Sequence, residues 1–106
     1  MEFLKKQDKI LWTRHSKEKL RQYQLSEKRV LRVLRKPERR EEGIAPGTIA
    51  AMQTVGTKKS PKEIWVMYEI ENQRLKIISV WKYPGKSKIG KTPIPEDILN
   101  ELKGQY

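Results

Sequence analysis

Cleavage of an RNA strand by its own 2′-hydroxyl is the one reaction that the chemically capable residues of this chain suit. That reaction needs a base for the hydroxyl proton, cations facing the phosphate charge that builds up, and an acid for the leaving 5′-oxygen. His15 is the only histidine and can serve as acid or base near neutral pH. Arg14, Arg21, Lys82 and Lys86 are candidate cations, and Tyr83 is a candidate proton donor or base-stacking platform. The plainer reading of His15 is a helix-start residue that satisfies backbone or tyrosine hydroxyl groups. Other chemistries find little support. With no Cys and a single His, thiolate zinc sites, cysteine nucleophiles and disulfides drop out, and no metal site is expected. Pro84-Gly-Lys-Ser-Lys88 lacks the first glycine of a phosphate loop and has no long helix after it. No pattern unites a serine, an imidazole and a carboxylate for hydrolysis, and no cofactor is implied.

The charge that surrounds these residues is large. Among 106 residues there are 24 Lys/Arg and 13 Asp/Glu, a formal net charge of +11. Residues 1–42 hold 14 of the cations and 7 of the acids, and Lys82, Lys86, Lys88 and Lys91 fall in one later stretch without an acid. Such an excess on one small domain favours a polyanion partner over solubility alone. Lys28, Arg32 and Arg35, at helical spacing, are candidate nucleic-acid contacts along with Arg14, Lys86, Lys88 and Lys91; their plain reading is a solvated helix face. No stretch is long and apolar enough for a membrane span. The start of the chain has no signal-peptide hydrophobic region, so a cytoplasmic location is the expectation.

The elements that must position these residues follow from periodicity. Lys9–Thr13 reads as a short strand or extended arm, and His15–Gln22 as a short helix. Ser26 caps a second helix whose Val30, Leu31, Val33 and Leu34 form the buried stripe, with Leu25 and Val30 as a hydrophobic staple and Pro37 as the stop. The period then changes to two. Thr48–Val55 reads as a strand. Ile64, Val66, Tyr68 and Ile70 share one face of the next, and Leu75, Ile77, Ser79 and Trp81 one face of the last. Glu71–Arg74 is short enough for a hairpin, with Asn72 suited to a left-handed turn. Gly56–Lys62 reads as a loop, Glu38–Glu42 as a solvated ion-paired edge and Tyr83–Pro93 as an extended basic loop. Pro95–Leu102 closes the chain as a helix with Ile94, Ile98, Leu99 and Leu102 inward. Trp12, Trp65 and Trp81 are expected in the core, Trp81 being the best exception as a base-stacking residue. The expectation is one α+β domain over residues 1–106. Two N-terminal helices pack on one face of an antiparallel β-meander of three to four strands, followed by a C-terminal helix.

Thr13-x-His15-Ser16, Leu20-Arg21, Leu25-Ser26, Val30, Val33-Leu34 and Pro37, followed by the meander, resemble small bacterial domains related to the RelE/ParE-like toxins. The resemblance spans roughly residues 8–83. It implies two helices across an antiparallel sheet and a toxin of a toxin–antitoxin pair. The implied activity is a metal-independent endoribonuclease or translation inhibitor, acting on RNA or the ribosome and neutralised by an acidic antitoxin. Of the candidate site residues, only His15 and Arg21 match positions of that pattern. Lys82 and Tyr83 are added from their place at the end of the last strand. The alternative is a non-catalytic RNA- or DNA-binding module with the same fold.

Overall fold

The computed structural model describes residues 9–104. The residues read above for a leader lie outside that range. Eight elements follow in order: β1 (Lys9–Trp12), α1 (Arg14–Gln22), α2 (Glu27–Arg35), β2 (Arg39–Glu42), β3 (Thr48–Gly56), β4 (Pro61–Glu71), β5 (Arg74–Pro84) and α3 (Glu96–Leu102). They form one five-stranded sheet in the order β1-β5-β4-β3-β2. β2 to β5 run as an antiparallel meander, and β1 joins β5 in parallel. The helical pair α1–α2 carries the chain from one edge of the sheet to the other, which is why β1 and β2 end up as opposite edges.

Local signals explain the helices. Thr13 is the N-cap of α1, its Oγ1 accepting from the Ser16 amide at 3.1 Å. Ser26 does the same for α2 through the Arg29 amide, and caps of this kind contribute about 1 kcal/mol each. Between them the chain turns through a Schellman motif. The Leu25 amide donates to the Leu20 carbonyl at 2.8 Å and the Gln24 amide to the Arg21 carbonyl, while Leu20 and Leu25 meet in the core. Gln24 occupies the left-handed position at φ 55°, which costs a non-glycine residue of order 1 kcal/mol.

The sheet is covered on both faces, and this corrects the expectation of helices on one face only. On one side Val30, Val33 and Leu34 of α2, with Leu20 and Leu25, pack against Ile64, Val66, Tyr68, Ile77 and Val80. On the other, Ile98 and Leu102 of α3 cover Trp65, Met67, Ile78 and Trp81. Burying each fully enclosed aliphatic side chain stabilises by about 1.5–3 kcal/mol. Trp65 and Trp81 are directly opposite on β4 and β5 and stack at 6.1 Å between ring centroids. Trp81 is fully buried, so it offers no surface to a base.

Three further boundaries differ from expectation. Arg39–Glu42 is strand β2, paired with Ile49–Met52, because the Arg39 side chain has a buried counter-ion waiting in Glu63. The loop expected over Gly56–Lys62 shortens, since pairing continues to Gly56 opposite Pro61. Gly56 is needed there: its φ is +86°, and a Cβ would lie 2.5 Å from the Ser60 carbonyl oxygen. The strict alternation in β5 also breaks. Met67 pairs with Ser79 but Tyr68 with Ile77, so Ile78 is the extra residue of a β-bulge. It joins the Trp65–Trp81 side together with Ser79's partner Met67. The bulge lies where β1 ends, and Thr13 Oγ1 donates to the Ile77 carbonyl at 2.7 Å there. The Asn72–Gln73 turn has positive φ at both positions, as a two-residue type I′ hairpin requires.

Candidate nucleic-acid interface

On the α1–α2 face the strand alternation that puts Ile64, Val66 and Tyr68 in the core carries on to Lys62, and the phase of Val80 carries on to Lys82. Lys82 pairs with Ile64 and Lys62 with Pro84, so the two lysines are diagonal neighbours at the end of the sheet, within the roughly 7–8 Å of such pairs. The α1–α2 turn sits over this end. Gln24, Ser26 and Arg29 come down on one side, Lys62 and Lys82 rise on the other, and Leu25, Val55 and Ile64 form the floor. The result is a cleft of about 320 Å³ with three cations and an apolar base. Among the described residues none of Arg29, Lys62 and Lys82 has a carboxylate partner. Their like charges repel one another across the cleft. An anion seated between them relieves that repulsion, and a phosphate oxygen also suits the donors each cation carries.

His15 stands elsewhere. α1 runs along the half of β5 that β1 leaves unpaired, and His15 reaches round to the α3 side. Its Nε2 lies 2.9 Å from Ser79 Oγ and its Nδ1 3.0 Å from Glu101 Oε2. Burial holds the imidazole pKa below its ordinary value, outweighing the nearby Glu101 carboxylate, which acts to raise it. In the neutral ring Nδ1–H donates to the Glu101 carboxylate, which leaves Nε2 to accept from the Ser79 hydroxyl. Ser–His–Glu in that order has the connectivity of a nucleophilic triad, a grouping that no sequence spacing announced. Ser79, however, is fully buried. No substrate atom can reach its Oγ, and the three residues tie α1, β5 and α3 together.

One turn along, Lys19 completes this seam. Its Nζ donates to Gln22 Oε1 at 2.8 Å, Asp97 Oδ2 at 2.9 Å and Glu101 Oε1 at 2.8 Å, so all three ammonium protons are used with the side chain only 4% exposed. Burial opposes the charge, but the two carboxylates outweigh it and raise the lysine pKa. Asp97 moves the other way: burial opposes its charge, and Lys19 and Gln22 together hold its pKa below the ordinary value.

The residues proposed from sequence therefore separate. Lys82 lines the cleft, but Tyr83, its neighbour on β5, faces the opposite side of the sheet and packs near the Trp65–Trp81 cluster. Away from the bulge at Ile78 neighbouring strand residues point to opposite faces, so Lys82 and Tyr83 do not form one constellation. His15 lines neither this cleft nor the one beside Tyr83. Arg21 is exposed on α1, and Arg14 is exposed and paired with Glu18 at 3.6 Å. Lys28, Arg32 and Arg35 are exposed on α2, while Lys86, Lys88 and Lys91 are exposed on the loop after β5. Arg29 and Lys62 are the cleft residues that sequence reading passed over. Their signal was a cation continuing an apolar strand face (Lys62 in phase with Ile64) and a cation in the first turn after a cap (Arg29 after Ser26).

No helix among the described residues is long and apolar enough to cross a membrane. No protein-family model, curated protein or solved structure matches the chain.

Proposed function

We propose that this protein binds RNA, seating backbone phosphate in the Arg29–Lys62–Lys82 cleft. The observation that carries this reading is the convergence of three cations without counter-charge on one apolar-floored cleft. Elsewhere the same chain matches buried cations with carboxylates. The net charge of +11 extends the attraction over the surface, with Lys28, Arg32 and Arg35 on the same helix as Arg29. The resemblance to RelE/ParE-like domains supplies the context: mRNA or the ribosome as target and an acidic antitoxin as the neutralising partner.

The second reading is a toxin-like endoribonuclease that cleaves by 2′-hydroxyl attack. What favours it is the half-buried position of Lys82 in the cleft, where a cation would stabilise the charge that builds on a phosphate under attack. His15, held between Ser79 and Glu101, takes no part in that version, so water or the ribosome takes the 2′-hydroxyl proton and returns one to the leaving 5′-oxygen.

Purified protein with end-labelled single-stranded RNA, with and without ribosomes, tests both. RNA retained in a salt-dependent complex without cleavage supports the binding domain. Fragments ending in a 2′,3′-cyclic phosphate, abolished in Lys82→Gln and kept in His15→Gln, support the nuclease. Affinity that does not fall with salt overturns both, because phosphate contacts to single strands cost about 0.7 log units of affinity per log unit of salt each.

A further inference from the structure

The opposite face of the sheet holds a second and larger cleft. It encloses about 550 Å³ and is lined by Tyr83, Pro93, Ile94 and Leu99, with Lys88 and Lys91 among its walls. The volume lies within the roughly 300–1,000 Å³ of small-ligand sites. Leu99 remains 40% exposed there.

The loop that carries the two lysines is not loose. Glu63, only 1% exposed, accepts from Trp65 Nε1 at 3.0 Å, from the Ser87 amide at 3.0 Å and from Ser87 Oγ at 2.6 Å. Arg39 lies over the Trp65 ring at 5.2 Å and donates to the Ser87 and Lys88 carbonyls. Glu41 accepts from the Gly90 amide, and Thr92 Oγ1 donates to the Glu42 carbonyl. The backbone is thus fastened at 87, 88, 90 and 92, which leaves the Lys88 and Lys91 side chains without a carboxylate partner among the described residues. A buried carboxylate contributes little net stability against an apolar replacement. Its effect here is to hold two cations beside an aromatic ring and an apolar wall.

We infer that this cleft binds a nucleotide, with the base against Tyr83, Ile94 and Leu99 and the phosphate at Lys88 and Lys91. An aromatic side chain next to aliphatic ones takes a flat ring, and the cations take the charge that an uncharged aromatic would leave unused. The hydroxyls of Ser87 and Thr92 are already committed. Few polar groups remain to read base edges, so the site discriminates weakly among bases. The inference rests on residues outside the Arg29–Lys62–Lys82 cleft and stands or falls separately from it.

The test is an NMR titration of the full chain with AMP, UMP, ribose 5-phosphate and octanoate. AMP should shift the Tyr83 ring and the Ile94 and Leu99 methyl signals, with UMP within about threefold in affinity and ribose 5-phosphate and octanoate at least tenfold weaker. In Lys88→Glu/Lys91→Glu, altered only at exposed positions, AMP affinity should fall at least tenfold. In Lys62→Gln/Lys82→Gln it should not change. Equal binding of ribose 5-phosphate or octanoate overturns the base pocket, and AMP binding that survives the Lys88/Lys91 change overturns the phosphate assignment. Adding the dinucleotide ApA separates the two sources of such a ligand. Affinity at least tenfold above AMP assigns the site to a strand, and equal affinity assigns it to the free nucleotide.

Discussion

The seam between α1 and α3 and the cleft under the α1–α2 turn are built from the same kinds of residue and end in opposite electrostatic states. In the seam, Lys19 is buried and meets Asp97 and Glu101, while His15 sits between Ser79 and Glu101 with burial holding its pKa below the ordinary value. In the cleft, Arg29, Lys62 and Lys82 meet no carboxylate among the described residues. Two of the thirteen acids go to the most buried lysine, and none among the described residues pairs with the cleft cations. Satisfied charges hold elements together, and unsatisfied ones at a concave surface are where an anion gains most.

Breaking the seam should have the largest effect. Lys19→Met leaves Asp97 and Glu101 facing each other without their shared cation, and the loss of a buried partner costs about 3 kcal/mol. Part of that is recovered because both carboxylates are about two-fifths exposed, so urea denaturation should show about 2 kcal/mol less stability. RNA affinity should stay within twofold.

The converse change sharpens the contrast. Lys62→Gln/Lys82→Gln should weaken RNA binding about tenfold or more, with the slope of log affinity against log salt falling by about 1.4 for two lost phosphate contacts. Thermal stability should be unchanged or slightly higher, since two like charges are removed. A fall in stability as large as that of Lys19→Met would mean that the cleft lysines are structural after all.

A smaller effect comes from pH. Because the folded pKa of His15 lies below its unfolded value near 6.5, the unfolded chain binds the proton more readily. Stability is then fully present above that unfolded pKa and declines as pH falls through it towards the folded value. Denaturation midpoints between pH 7.5 and 5 should show this decline in the wild type and lose most of it in His15→Gln. Asp97 adds a second decline at lower pH, because its depressed folded pKa means its contribution is lost as pH falls below the ordinary carboxylate range.

The smallest expected change is at Arg14. Its pair with Glu18 is 95% exposed on the arginine side, and Arg14→Ala should shift the denaturation midpoint within error, as exposed pairs contribute about 0–1 kcal/mol.

Much of the scaffold was legible because it rests on local rules. Ser26 as cap, the Val30–Leu34 stripe, the Ile64–Tyr68 alternation and the Asn72 turn are all set by residues within a few positions of each other. β1 as a parallel edge strand escaped notice because nothing within Lys9–Trp12 names its partner, which is 65 residues away. Arg39-Arg-Glu-Glu42 is polar at every position and reads as a solvated edge, whereas in the fold Arg39 reaches Glu63 and Trp65, Glu41 the Gly90 amide, and the Glu42 carbonyl Thr92. The bulge at Ile78 hid the true neighbours of Ser79, since a single extra residue reverses which side chains share a face.

For the candidate site the division is sharper. Composition alone established the cationic excess and the lack of cysteine, and with them a polyanion as the partner to expect. Periodicity established which faces are apolar and so where α2 and the last strands must pack. Only the tertiary structure decided that Lys82 belongs with Arg29 and Lys62, that Tyr83 belongs with Lys88 and Lys91, and that His15 belongs with Ser79 and Glu101. The reason is physical: side-chain type and spacing act over a turn or a strand pair, whereas the meeting of charges from α1, β5 and α3 depends on how the two sheet faces are covered.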